Sequence, residues 1–330
     1  MFINRTEIEL AKSENQISHK DKLLFLGSCF AENIGKQITE DKFSAIVNPF
    51  GVLYNPISVL TGLVDLIDCK KYSKTDLLQN GNLWCSFSHH SSFSSVNPEF
   101  ALEKINSSVK IGHEHLNNTK FIFLTFGTAR VYRYIKTNKI VSNCHKFNAK
   151  EFAVELLSKE EIVNEYSLII EKLRSQNPEI QIIFTVSPVR HLKDGFSENS
   201  HSKAILLLAI HELVASFNNC HYFPAYEIFM DDLRDYRYYA EDMIHPGNVG
   251  IKYLYEKFSQ HFFNSKTINL LNEIRKVKQG FSHRILTDDK EAKTMFLNKL
   301  IEKAKVLEAE NEINFSEEIH EAEENLKNSL

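Results

Sequence analysis

The sequence predicts an α/β fold built on a small, mostly parallel sheet, and three observations predict it. Short apolar runs recur along the chain, each run ends in a turn, and apolar residues then repeat at helical spacing. Strand alternating with helix is the pattern of a parallel sheet covered on both faces.

Leu23 to Leu26 is the first run, leading through Gly27-Ser28 into Phe30, Ile34 and Ile38 at helical spacing. Phe121 to Phe126 leads into Gly127-Thr128, and Ile180 to Val186 leads into Ser187-Pro188. Tyr222 to Tyr226 is a fourth, weaker run. Helical periodicity marks Glu160 to Ser175, Ser202 to Phe217 and Val249 to Phe262. Ligands of such sheets bind at the carboxyl ends of the strands, so the turns after Leu26, Phe126 and Val186 are expected to gather at one edge. Residues 60–118 read as a loop-rich insertion carrying a hairpin or irregular loops around Trp84 to Phe93, whose Ser/His cluster suits a loop above a site. From Asp288 onward, 12 acidic residues stand against 6 lysines, with Leu297, Leu300, Ala304 and Leu307 at helical spacing. This predicts an amphipathic helix followed by a frayed acidic tail. His113 and His115 read as surface histidines.

Bulk properties narrow the function. A net charge of −4 and a pI near 6.4 come without a basic stripe, which argues against nucleic acid as a partner. The longest apolar runs, Phe121 to Phe126 and Ile205 to Ile210, are too short to span a bilayer. Met1 to Glu7 lacks the basic and apolar regions of a secretory signal. Five scattered cysteines without a C-x-x-C pair fit neither a disulfide framework nor a structural zinc site. A reducing, cytoplasmic location is the expectation.

Two segments carry chemistry. Serine becomes a nucleophile only beside a base that a third group orients, on a sharp turn with N–H groups ready for an oxyanion. Ser28 follows a strand and a glycine and begins a helix, whose free N–H groups suit that role. The same position equally suits a simple helix cap. Asp242-Met243-Ile244-His245-Pro246 places a carboxylate and an imidazole on one turn, where the carboxylate can fix the ring's tautomer. A surface loop capped by Asp242 explains that segment as well. Arg190 and His191 follow a strand end and face the same edge, and an arginine there can bind a carboxylate or an acyl oxygen bidentately, or equally pair with Asp194 or Glu198. His89-His90 fits a substrate-contact loop better than a metal site, because adjacent side chains diverge. Cys29 is an alternative thiol nucleophile at a helix N-terminus.

Together the segments resemble the SGNH (GDSL-type) hydrolases, which carry Gly-x-Ser near the N-terminus and Asp-x-x-His-Pro near the end of the catalytic core. Gly27-Ser28-Cys29-Phe30-Ala31 resembles the GSCFA family in particular, as do Asn48 to Pro56, Phe126 to Tyr132 and Ser187 to His191. The resemblance covers roughly residues 20–263. It implies a three-layer α/β/α fold over residues 1–265, with residues 266–330 as a helical, acidic extension. It implies Ser28 as nucleophile, His245 as base, Asp242 as its orienter, and Gly51 with Ser28 as backbone oxyanion donors. These enzymes usually carry Gly-x-Asn at the third block, whereas Gly127-Thr128-Ala129 places alanine there, so Thr128, His89, His90 or Arg190 is expected to supply the missing donor. The implied substrate is a small-molecule or glycan acyl ester, an O-acetylated carbohydrate by analogy, and no cofactor or metal is implied. The alternatives are an acyltransferase of the same mechanism and a non-catalytic binding module retaining the fold.

Overall fold

The structure, a computed structural model, describes residues 6–282 and 290–327. Residues 1–5, read above for a secretory signal, and 288, 289 and 328–330 of the acidic tail lie outside the described residues. In chain order the elements are β1 (Lys22–Gly27), α1 (Cys29–Glu40), β2 (Ala45–Val47), α2 (Pro56–Ile67), β3 (Leu78–Asn80), β4 (Leu83–Cys85) and α3 (Pro98–Leu116). Then come β5 (Thr119–Phe126), β6 (Arg130–Tyr134), β7 (Lys139–Val141), β8 (Phe152–Leu156), α4 (Lys159–Gln176), β9 (Gln181–Val186), α5 (Phe196–Ser216) and β10 (Cys220–Tyr222). The one-turn α6 (Ala225–Glu227) runs into a π-helical turn, Ile228–Asp232, and α7 (Asn248–Phe262), α8 (Ser265–Ser282), α9 (Lys290–Asn311) and α10 (Ser316–Lys327) complete the chain.

The central sheet has the order β10-β9-β5-β1-β2 and is parallel throughout. Alternation along its strands makes three layers, because successive side chains leave opposite faces. Leu24, Leu26, Ile122, Leu124, Phe126, Ile182 and Phe184 enter the core under α2 to α5. Leu23, Phe25, Phe121, Phe123 and Ile183 enter the other core, under α1, α7 and the C-terminal helices. Both faces being buried is why these strands read as continuous apolar runs.

Four expectations need correction. Within 60–118 only about 68–97 is irregular, since α2 extends to Ile67 and α3 starts at Pro98 behind its Asn97 cap. The hairpin β3–β4 lies between them. His113 and His115 are half-buried, bonding the carbonyls of Leu66 at 2.8 Å and Leu23 at 2.9 Å. The fourth run is displaced: the strand is β10, and α6 takes Ala225–Glu227 because Pro224 ends the extended backbone. The acidic tail is not frayed over its described part, because α10 buries Ile319 and Ala322 against the same core as α1. Lys42 at the end of α1 pairs with Glu318 at 2.6 Å, and Asp41 accepts from Arg275 of α8 and Tyr255 of α7. Periodicity did not announce the short β2 or the antiparallel sheet β7-β6-β8, which follows directly on Ala129. Among the described residues, no helix is long and apolar enough to cross a membrane.

Candidate active site

The loops after β1, β5 and β9 meet at the carboxyl edge of the sheet, and backbone bonds lock them together. Gly27 needs its positive φ of 139°, and a Cβ there would stand 2.2 Å from the Thr125 carbonyl oxygen. The Gly27 N–H donates to Asn48 Oδ1 at 2.9 Å, and its carbonyl accepts from Leu53 N–H at 2.8 Å. The Tyr54 carbonyl accepts from Gly127 and Thr128 at 2.7 and 3.0 Å.

Ser28 caps α1, its Oγ accepting from Phe30 N–H at 3.3 Å. It is 2% exposed and is not among the residues that line the cleft walled by Tyr54 and His191. A Cβ on Gly127 would stand 3.6 Å from Ser28 Cβ and 3.0 Å from both His191 Nε2 and the Tyr54 carbonyl oxygen. The three residues therefore converge on Gly127. Tyr54 spans the neighbourhood, with its hydroxyl 3.8 Å from Cys29 Sγ and its ring edge-on to His191 at 5.5 Å.

The cleft encloses about 450 Å³ and is walled by Tyr54, His90, Thr128, Arg190, His191 and His245, with Tyr132 of β6 and Cys144 beyond β7 opposite. His245 Nδ1 bonds Asp242 Oδ2 at 2.6 Å, while Asp242 Oδ1 accepts the N–H groups of Ile244 and His245 at 2.9 Å each. Those bonds hold the Asp242 carboxyl down to about 2, the His245 N–H first and the imidazole third in effect. Burial lowers His191 to about 4, with Lys203 and His245 adding repulsion, so its imidazole is neutral at pH 7.

Lys203 lies under this arrangement, buried in α5. Its Nζ donates to the carbonyls of Gly127 and Ser187 at 2.6 Å each, the first beyond β5 and β9. Burial lowers its pKa to about 7. Ser202 Oγ takes the N–H of Ala129 at 2.7 Å and lies 3.0 Å from Thr128 Oγ1, and Asn199 Oδ1 takes the His191 N–H at 2.9 Å. Sequence reasoning missed Tyr54, Asn199, Ser202 and Lys203. For the last three the signal is that the buried stripe of α5 begins with polar residues before Leu206, Ala209, Ile210 and Leu213.

Three expected donors are placed elsewhere. The Gly51 N–H is committed to the Asn48 carbonyl at 2.7 Å in a tight turn, and Gly51 backs onto His90 rather than the cleft. The Ser28 N–H donates to Thr125 at 3.2 Å. His89, 0% exposed, is packed among Phe50, Tyr72 and Phe93 with Nδ1 on Ser86 Oγ at 2.9 Å, because the turn that exposes His90 turns its neighbour inward. Ala129 is also fully buried. Arg190 lines the cleft without the ion pair expected of it, since Asp194 and Glu198 pair with Arg130 at 3.2 and 2.8 Å. Burial raises the Cys29 thiol, which disfavours the thiolate a cysteine nucleophile needs.

A parallel sheet between helical layers, with a serine at the end of β1 and an Asp-His pair on the cleft, frames the comparison with known proteins. The chain belongs to the GSCFA family, whose match covers residues 22–258. Residues 274–328 match the family described as GSCFA domain protein, C-terminal domain. No curated protein matches the chain. Among solved structures it is similar to an acetyl xylan esterase (Est2A) from the rumen bacterium Butyrivibrio proteoclasticus, at 12% identity and a TM-score of 0.32. That similarity covers 78% of this chain and 66% of the esterase, just under two thirds of its length.

Proposed function

We propose that the protein is a serine hydrolase of the SGNH type that cleaves an acyl ester through an acyl-enzyme. The observation that carries this reading is His245: oriented by Asp242 at 2.6 Å, it lines one cleft with His191 and Tyr54, the two residues that meet Ser28 around Gly127.

Asp242 holds Nδ1, which leaves Nε2 as the base. His245 Nε2 takes the Ser28 Oγ proton as Oγ attacks the acyl carbon. The tetrahedral intermediate collapses by breaking the bond from acyl carbon to alcohol oxygen, and His245 returns the proton to the departing alcohol. Water, deprotonated by the same imidazole, attacks the acyl-enzyme and releases the acid with Ser28 restored. Because the N–H groups of Gly51, Gly127 and Thr128 are committed to carbonyls, we assign the oxyanion to the first turn of α1, where Cys29 N–H has no partner within the helix. His191 and Thr128 shape the acyl side of the cleft. An acceptor hydroxyl in place of water makes the same steps an acyl transfer.

The test is labelling with a fluorophosphonate and turnover of 4-nitrophenyl acetate by the wild type and by Ser28→Ala, His245→Ala and Cys29→Ala. Labelling lost with Ser28→Ala and kept with Cys29→Ala is the expected result. Labelling that survives Ser28→Ala overturns it. The 2% exposure of Ser28 favours one second reading, a binding module that keeps the fold, for which the wild type would not label at all.

A further inference from the structure

Among the described residues, no carboxylate pairs with Arg190 at this edge of the sheet. The acids nearest in sequence, Asp194 and Glu198, are both drawn to Arg130. Asp231 pairs with Arg234 at 2.6 Å and Asp235 with Arg237 at 3.1 Å, so the acids around Arg190 on the other side are spent as well. Among the described residues, the one side-chain bond Arg190 makes is from Nη2 to the Met230 sulfur at 3.7 Å, a weak acceptor. A half-buried guanidinium with five donors and so little to receive them is an unfilled recognition group.

Its place makes it part of the substrate path. Arg190 lines the cleft with His191 and His245, and also a second cavity of about 410 Å³ walled by Tyr226, Met230, Tyr236 and Tyr239, with the paired Asp231 and Arg234, and Asp235, completing its lining. The two cavities meet at this residue. Aromatic walls suit the flat apolar faces of a ring bearing hydroxyls, and the guanidinium fork suits a planar carboxylate.

We propose that Arg190 binds a carboxylate on the alcohol part of the substrate, so that the protein acts on acyl esters of acidic sugars of the uronate class. The ring occupies the aromatic cavity, the carboxylate lies on Arg190, and the acylated hydroxyl points into the cleft toward His245. This inference rests on the hydrolase reading for its reaction but not for its binding step.

Two measurements test it and keep the two readings apart. In the first, O-acetylated methyl galacturonoside and O-acetylated methyl galactoside are compared as substrates. Their ratio of kcat/KM falls at least about tenfold in Arg190→Gln, chiefly through KM of the uronate, and Arg190→Lys gives an intermediate ratio because charge survives without the fork. An unchanged ratio overturns the inference. In the second, methyl galacturonoside is titrated into Ser28→Ala protein by calorimetry, where no reaction is needed. Binding that weakens with salt, exceeds that of methyl galactoside, and is lost in Ser28→Ala/Arg190→Gln is the expected result. Equal binding of the two sugars, or no binding of the uronate, overturns the inference whatever the labelling of Ser28 shows.

Discussion

The Lys203 ammonium lies 2.6 Å from the Gly127 carbonyl oxygen, so a fully buried cation is fixed directly beneath the peptide on which Ser28, Tyr54 and His191 converge. The same Nζ holds Ser187 and so ties the ends of two neighbouring strands.

Lys203 makes stability depend on pH. Burial lowers its pKa to about 7 from the ordinary 10.5, so between those values the unfolded chain holds the extra proton. Stability contributed at this site therefore rises with pH across that window, by at most ~1.4 kcal/mol per pH unit, and is lowest below pH 7. The difference in urea unfolding free energy between wild type and Lys203→Met is expected to grow in favour of the wild type from pH 7 to 10. A flat difference would show that the lysine does not titrate in that window.

Asp242 acts on orientation, since its carboxylate holds both the imidazole and the turn that carries it. Asp242→Asn leaves one acceptor oxygen and reverses the proton demand on Nδ1. In 4-nitrophenyl acetate turnover kcat is expected to fall by about 10² to 10⁴ with little change in KM. A loss confined to KM would place Asp242 in binding instead.

Gly51 sets the position of His90. Its φ is 73°, and a Cβ added there would stand 2.2 Å from His90 Cβ. Gly51→Ala is expected to cost more than ~1 kcal/mol in chemical denaturation, from backbone strain together with the clash. In a His90→Gly background the cost shrinks to the strain alone, and the double-mutant cycle measures the contact. Equal costs in both backgrounds would show that the loop moves aside.

His89 governs acid sensitivity. Burial lowers its pKa to about 3, and its Nε2 has no hydrogen-bond partner among the described residues. The unfolded chain takes up the proton near pH 6.5, so stability falls as pH drops from 6.5 toward 3. His89→Phe, which suits the ring cluster of Phe50, Tyr72 and Phe93, is expected to flatten that fall in thermal melts between pH 7 and 4.

What the sequence by itself determined is the part encoded locally. Apolar runs marked β1, β5 and β9 because strands buried on both faces need apolar residues throughout. Gly27-Ser28 at a strand-to-helix turn, and an aspartate and histidine three apart, identify themselves because their geometry is made within one turn of chain.

Tertiary structure decided what depends on distant segments meeting. The N–H groups of Gly127 and Thr128 are committed because the Tyr54 carbonyl, from a distant loop, reaches both once the loops close. Of two adjacent histidines, His89 turns into the core and His90 out, a choice that packing makes. Lys203 reads as an ordinary helix lysine until closure of α5 over two strand ends buries it. Arg190 stands near two acids in sequence, yet Arg130 arrives from β6 and takes both. Ion pairs and buried donors are assigned by competition among residues far apart in the chain, and only the folded backbone fixes which competitor is nearer.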